Sequence, residues 1–487
     1  MTPLAVLFPL LGCIMAWRHA TGQGSGTAIV LAVSSITLTL FAFALAGLLA
    51  SATVVLWALG SILLVAYAWR DRHTLHRYLD VPLVLFLAGA VLFWWVHQDS
   101  HFGRYDEVSH WGIFLKELYY NHAFWGDGPH LRHPRYVPGP ALWGYFVTSQ
   151  GAYSEGAAYF AQFLLLLAPV TLFFERLGRR HWPWILLVLA WLALGLANWG
   201  NGLVSMYVDH LISVWFVGIL LMGLYLSGHR WLPYLLVLPL GLLVLIKDAG
   251  LYFALGAAGL IFLWSGLRAW QRSGLEGQWL RPLALWLVCA LVVPAAFVGS
   301  WKVERDLQGV TAAGGTLEGM YGKLVADRPE SDPERRQTIS RHFWDVVRSQ
   351  HISKGKPSRA FNAFNYTNKE VYTSKFRLLP VPLTTALFMG LYAVGAYALV
   401  RVLYRHHRDW LPWASTLAGL ALMAVFYLLV LYGNYINSSG VGGLNVSSYM
   451  RYMHAMLLPL ALIVVVPLLP IHVRDGRQQG ARQGGYA

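Results

Sequence analysis

Apolar runs long enough to cross a bilayer recur along almost the whole chain, and this leaves very few folds open. Hydrocarbon offers the backbone no hydrogen-bond partners, so a chain crosses it only as helices or as a closed barrel. About 20 apolar residues make one helical crossing. Such runs occupy Pro3–Trp17, Thr27–Ala50, Thr53–Trp69, Val81–Val96, Ala157–Phe174, Trp184–Ala197 and Leu203–Leu226. They continue at Leu232–Ile246, Leu251–Trp270, Leu283–Val298, Val381–Leu403, Leu411–Tyr432 and Tyr452–Leu469. The pattern predicts an all-α, polytopic membrane protein with about thirteen transmembrane helices.

Composition agrees, since 12% of the residues are charged and 57% hydrophobic, against about 25% charged in soluble domains. The formal net charge of +14 raises the question of a nucleic acid partner. The distribution of the basic residues answers it instead as membrane topology. Arg70, Arg72 and Arg77 share one loop, and Arg176, Arg179 and Arg180 share another. Arg268, Arg272 and Arg281 follow, then Arg401, Arg405 and Arg408, then Arg474, Arg477 and Arg482. With alternating helices all of these fall on one side, which the positive-inside rule makes cytoplasmic. The opposite short loops, Asn198–Gly202 and Gly433–Tyr449, carry no Lys or Arg. The first run lacks a preceding basic region and is followed by Arg18, so it reads as a retained helix, not a cleaved signal. Cys13 and Cys289 both lie inside apolar runs, which suggests neither a disulfide framework nor a cysteine metal site.

This topology divides the chain into N-terminal transmembrane helices (1–97), an extracytoplasmic loop (98–155), central helices (156–301), a second extracytoplasmic loop (302–379), C-terminal helices (380–473) and a disordered cytoplasmic tail (474–487). The second loop predicts a helix from Pro333 to about Gln350, with Ser331 and Glu334 in capping-box spacing. Further on, Phe361, Phe364, Tyr366 and Tyr372 interleave with Lys356, Arg359 and Lys369. That mixture suits sugar stacking and anionic lipid binding, and equally a loop that packs on the bilayer.

The first loop carries the densest chemistry. Residues Arg104–Tyr120 read as one interfacial amphipathic helix, with Val108, Trp111, Leu115 and Leu118 on its apolar face. Asp106, His110 and Glu117 share the opposite face, with Glu107 on the flank. Carboxylates beside an imidazole can accept a proton or ligate a divalent ion; the same pattern also fits an ordinary solvated helix face. Downstream, Arg132 and Arg135 in the turn-rich stretch Gly128–Pro140 could hold phosphate oxygens. The loop is rich in imidazole, with His97, His101, His110, His122, His130 and His133, in a spacing that matches no established zinc pattern.

Charged groups at membrane depth are costly and so mark function by default. Asp209 and His210 lie just inside one helix, Lys247 and Asp248 at the end of another, and Arg451 opens the last span. By the topology above, all of them share the face of Asp106. An Arg and a Lys opposite a carboxylate form a natural site for a lipid phosphate with a reacting group beside it.

With these residues in view the chain resembles the GT-C glycosyltransferase superfamily, membrane enzymes that use polyprenyl-linked sugar donors outside the cytoplasm. The resemblance rests on Asp106-Glu107 after a span, Tyr136-Val-Pro138, Tyr207-Val-Asp209, Lys247 near a helix end and Arg451-Tyr452, and runs from Phe93 to the last span. It implies catalytic roles for Asp106, Glu107 and His110, donor-phosphate binding by Lys247, Arg451 and Arg135, and substrate contacts from Tyr136, Tyr207, Asp209, His210 and Tyr452. It further implies a polyprenyl-phosphate-linked sugar as donor, a glycan, lipid or protein as acceptor, and a bacterial inner-membrane location with the site facing the periplasm or exterior. One departure is that the family sets its acidic loop after the first span, whereas here more spans precede it.

No Gly-rich phosphate loop opens a helix, so ATP use is not indicated. No cofactor is required by this reading, a divalent metal ion is compatible with it, and no nucleic acid partner is expected. A polymerase or ligase of lipid-linked oligosaccharides would need the same phosphate clamp. A transporter or lipid flippase would instead show paired repeats and charges at mid-membrane; no internal repeat is evident, and the charges gather at one interface.

Overall fold

The computed structural model describes residues 2–128, 131–200, 202–226, 232–273, 280–310, 333–349, 384–406, 409–437, 446 and 449–469. The aromatic and basic residues between Lys356 and Tyr372, Ser331 of the expected capping box, His130 and the C-terminal tail lie outside them. Among the described residues the chain is helical and forms no strand.

The helices are numbered in chain order. α1 (Leu7–Thr21), α2 (Ser25–Leu45), α3 (Leu49–Arg70) and α4 (Val81–His97) precede the first loop, which contains α5 (Gly112–Asn121) and α6 (Gly139–Thr148). Then come α7 (Glu155–Val170), α8 (Trp182–Trp199), α9 (Asp209–Leu226), α10 (Val237–Ile246), α11 (Gly250–Ser273) and α12 (Leu280–Leu307). α13 (Pro333–Ser349), α14 (Thr385–His406), α15 (Trp410–Ile436) and α16 (Tyr449–Ile463) complete the set.

Ten helices among the described residues are long and apolar enough to cross a membrane, and three shorter apolar ones, Val81–His97, Trp182–Leu196 and Tyr234–Ile246, accompany them. The protein is therefore an integral, polytopic, all-α membrane protein. Its surface supports this independently. α3 exposes Val54, Val55, Leu59, Ile62 and Val65, and α12 exposes Leu285, Val288 and Val292. Contiguous apolar faces of that kind are not left to water in soluble monomers; in lipid they are the solvent-facing side.

The core is built from α2, α7, α9 and α16, with α9 buried along its whole length. α9 packs on α7, α11 and α16, and α10 lies between α2 and α12. Lipid tails are as apolar as Leu, so close van der Waals approach, not hydrophobic burial, holds such helices together. The contact of α1 with α3 shows the consequence: a Cβ on Gly12 would lie 1.8 Å from the Gly60 carbonyl oxygen, and one on Gly60 2.4 Å from that of Pro9.

Two expectations for the loops meet the structure differently. The helix expected from Pro333 is present as α13, whose Ile339, Phe343 and Val347 are buried. The single helix expected over Arg104–Tyr120 is not: Glu107–Trp111 winds as a π-helical turn before α5 begins. A π turn inserts one residue and rotates the residues before it relative to the helix beyond. Val108, expected on the buried face, is 52% exposed, while Glu107, expected on the flank, is 0% exposed. Trp111, Leu115 and Leu118 keep the buried face.

Candidate functional site

The break between α10 and α11, the first turns of α9 and α16, and the start of the π turn meet at one end of the bundle. Lys247 ends α10 in an extended conformation (φ −162°, ψ 155°), which stops the helix and releases its ammonium sideways. That ammonium donates to Asp209 Oδ1 at 2.5 Å. The other oxygen, Asp209 Oδ2, lies 3.7 Å from Arg451 Nε. Arg451 Nη1 in turn donates to Asp106 Oδ2. The result is an alternating chain, Asp106–Arg451–Asp209–Lys247, in which two carboxylates balance two cations. Asp209 is buried, and the Arg451 side chain keeps 27% exposure. Removing ions from water costs several kcal/mol each unless the partners repay it. Sharing Arg451 between two carboxylates is how this cluster manages it.

Aromatic rings wall the cluster. The guanidinium of Arg451 lies 5.3 Å from the Tyr207 ring centre and 5.2 Å from that of Tyr452, and the ammonium of Lys247 lies 5.4 Å from the latter. Arg104 approaches Tyr207 to 5.2 Å and donates to Ser205 Oγ at 2.7 Å. Beside them Tyr136 is stacked between Trp111, at 5.2 Å and 16°, and His133, at 4.8 Å and 17°. Both faces of the Tyr136 ring are thus covered, leaving its edge and hydroxyl. His133 holds its imidazole there from a left-handed backbone, φ 59°, a conformation that costs an L residue about 1–2 kcal/mol and is retained where the surroundings impose it.

The remaining expected residues sit as follows. His110 is buried, with Nδ1 2.8 Å from Ser109 Oγ and its ring edge-on to Tyr136 and His133 at 5.5 Å. Burial, with His133, Lys247 and Arg451 nearby, lowers its pKa from 6.5 to about 3, so it is a neutral imidazole. Burial lowers His133 likewise. Glu107 turns away from the ion chain. Its Oε2 accepts from the backbone N–H of Gly103 (3.2 Å) and Arg104 (3.0 Å) and from the Tyr159 hydroxyl (2.9 Å). Its Oε1 accepts from the Met206 N–H at 3.1 Å. Burial nevertheless pushes its pKa up to about 7. Glu107 thereby ties the loop to α7 and to the segment entering α9. Arg135 spends its guanidinium on Asp306 (2.9 Å) and the Val310 carbonyl (2.6 and 3.0 Å), next to Arg305, which lies 4.1 Å from the Trp301 ring. His210 is buried in the first turn of α9.

The structure therefore brings together Asp106, Asp209, Lys247, Arg451, Tyr207 and Tyr452, with Tyr136 and His110 alongside. Arg104, Ser205, Trp111 and His133 were not singled out as site residues. Arg104 had a signal, standing two residues before the acidic pair. Trp111 had one in the apolar face of the interfacial helix and His133 in the imidazole-rich loop; Ser205 had none, because only the chain's return brings it to the site. Among the described residues no group of three or more His, Cys, Asp or Glu is placed to hold a metal ion. No protein-family model, curated protein or solved structure matches the chain.

Proposed function

We propose that the protein is a GT-C-like glycosyltransferase that moves a sugar from a polyprenyl-phosphate donor to a glycan, lipid or protein acceptor. In this reading the three shorter apolar helices also cross the membrane, giving thirteen spans, and the site faces the exterior of a bacterial inner membrane. The sidedness rests on the Lys and Arg asymmetry of the loops.

One observation carries the reading: Lys247 and Arg451 stand together at a helix-bundle end, both engaged by carboxylates. Two cations sharing carboxylate oxygens present the donor geometry that phosphate oxygens also accept. A donor phosphate replaces Asp106 on Arg451 and shares Lys247 with Asp209. The freed Asp106 carboxylate takes the proton of the acceptor hydroxyl as its oxygen attacks the anomeric carbon. The bond from that carbon to the phosphate oxygen breaks, and polyprenyl phosphate leaves with its charge held by the two cations. Arg451 lies between Asp106 and Asp209, where a divalent ion would have to displace it, so no step is assigned to a metal. Tyr207 and Tyr452 wall the phosphate, and neutral His110 stays a hydrogen-bonding group.

The test is transfer by the purified full chain, in lipid nanodiscs, from a panel of radiolabelled polyprenyl-phosphate sugars. Asp106→Asn keeps the side-chain shape but cannot take the proton, and activity is expected to fall about 10²–10⁴-fold with unchanged thermal stability. Full activity in that variant would remove Asp106 as the base. A polymerase or ligase is distinguished by its product, since it would extend one lipid-linked glycan with another.

A further inference from the structure

Asp248 is the one residue of the Lys247-Asp248 pair that the ion chain leaves unused. Lys247 turns to Asp209 at 2.5 Å instead of to its neighbour. Asp248 Oδ2 is out of contact with solvent and has no hydrogen-bond partner. The backbone around it is fixed, because Gly250 N–H donates to the Lys247 carbonyl at 2.7 Å and Leu251 N–H to the Asp248 carbonyl at 3.3 Å. The carboxyl also lies within electrostatic reach of Tyr136, whose hydroxyl pKa is raised by burial and then by Tyr452, Asp248 and Asp209. It therefore borders the site from the α10–α11 break. Burial pushes its own pKa up to about 8, which makes it largely a neutral acid, able both to donate and to accept.

A buried polar atom without a partner costs about 1–3 kcal/mol, and native structures satisfy nearly all such atoms. The ion chain does not need Asp248, and no backbone group bonds to Oδ2. Keeping an unsatisfied acid next to the phosphate-gripping lysine destabilises the protein unless a ligand completes it. The unmet need is for one hydroxyl-sized partner, since phosphate oxygens would be repelled by any ionised fraction.

Resting on the proposed function, we infer that Asp248 is a specificity-determining residue that hydrogen-bonds a hydroxyl of the sugar while Lys247 and Arg451 hold the phosphate to which that sugar is attached. The pairing of duties follows from adjacency in sequence: one residue of the helix break reads charge and the next reads a hydroxyl.

The test uses farnesyl phosphate and a panel of farnesyl-phosphate hexoses and pentoses, with binding to the detergent-purified full chain measured by calorimetry. The wild type is expected to bind at least one sugar-bearing probe more tightly than farnesyl phosphate itself. Asp248→Ala should erase that preference, about tenfold for one lost hydrogen bond, with affinity for farnesyl phosphate unchanged. Asp248→Asn, which retains donor and acceptor atoms, should recover part of it. The melting temperature of Asp248→Ala should hold or rise, because an unsatisfied buried acid has been removed. A preserved sugar preference in Asp248→Ala, or an equal loss for all probes with a lower melting temperature, overturns the assignment and leaves the phosphate site standing. A wild type that binds none of the probes overturns the phosphate reading itself, and this inference with it.

Discussion

The two ends of α9 satisfy their charges in opposite ways. Tyr225 lies near its C-terminal end, about 24 Å from Asp209 at 1.5 Å per residue, and is met by the guanidinium of Arg176 at 5.3 Å. At that end carboxylates are held by backbone. Glu175 Oε2 accepts from the N–H of Gly26 at 2.8 Å and of Thr27 at 3.3 Å, and Oε1 from the Thr27 hydroxyl at 2.9 Å. Asp80 caps α4 through the Leu83 N–H at 3.2 Å, accepts the Ser25 N–H at 3.1 Å and pairs with Arg18 at 3.1 Å. These are helix N-termini, whose free N–H groups and dipole favour a carboxylate and cannot move without unwinding a turn. At the Asp209 end Glu107 is likewise held by backbone N–H groups, but Asp106 and Asp209 are satisfied by side chains. Arg451 Nε, Arg104 Nε and Asp248 Oδ2 are left without hydrogen bonds there. Side-chain ion pairs can exchange partners at little backbone cost, whereas backbone-anchored carboxylates act as staples. The comparison teaches that one end anchors its carboxylates to helix N-termini, whereas the other pairs side chains that can exchange partners, as the proposed phosphate site requires.

Substitutions at the two ends should therefore part in what they damage. Beyond the loss of transfer in Asp106→Asn, the largest effect is expected for Arg451→Ala. It removes the shared cation and should weaken farnesyl phosphate binding at least about a hundredfold, read by calorimetry; unchanged affinity would take Arg451 out of the phosphate site. At the opposite end, Glu175→Gln keeps the shape but replaces one of the two oxygens that three donors address with an amide nitrogen that cannot accept. It should cost about 1–2 kcal/mol of stability, seen as a lower melting temperature, with probe affinity intact. Loss of affinity there would break the division of labour.

The smallest effect is a pH dependence confined to the site end. The folded protein holds His110 well below its ordinary pKa of 6.5, at about 3, and lowers His133 too. At these two imidazoles the unfolded chain binds protons that the folded one does not below about pH 6.5. Their contribution to stability should be complete above that value and decline as pH falls from 6.5 toward 3, while the raised carboxyls of Glu107 and Asp248 act in the opposite sense, so the measurement is the difference between wild type and the variant. His110→Asn should flatten the decline in melting temperature between pH 7 and 5, and an unaltered slope would mean that the imidazole titrates normally.

Much of the site was legible from sequence because charge at membrane depth is so costly that its presence already implies a partner. Asp209, Lys247 and Arg451 could be placed on one face by helix parity alone, and the structure joins all three to Asp106. Among the described residues, ten of the expected runs correspond to helices long and apolar enough to cross a membrane and three to shorter apolar helices, while the run expected from Leu203 becomes helical only at Asp209. The loop was harder. Its hydrophobic period gave the right buried face from Trp111 onward but the wrong one at Val108, since a π turn shifts the phase without leaving a mark in composition. Arg135 had the look of an anion binder, yet Asp306 and Val310, from a segment more than 170 positions away, claim it.

The sequence by itself determined that this chain is built from apolar, membrane-spanning helices, and which few charges had to find one another. Those follow from solvation energies that act residue by residue. Only the tertiary structure decided that Arg451 is shared between Asp106 and Asp209, that Glu107 faces inward as a tether, and that Asp248 Oδ2 is left without a hydrogen bond. Hydrogen bonds reach only about 3 Å, so which donor meets which acceptor is settled when distant helices close, and no local pattern encodes it.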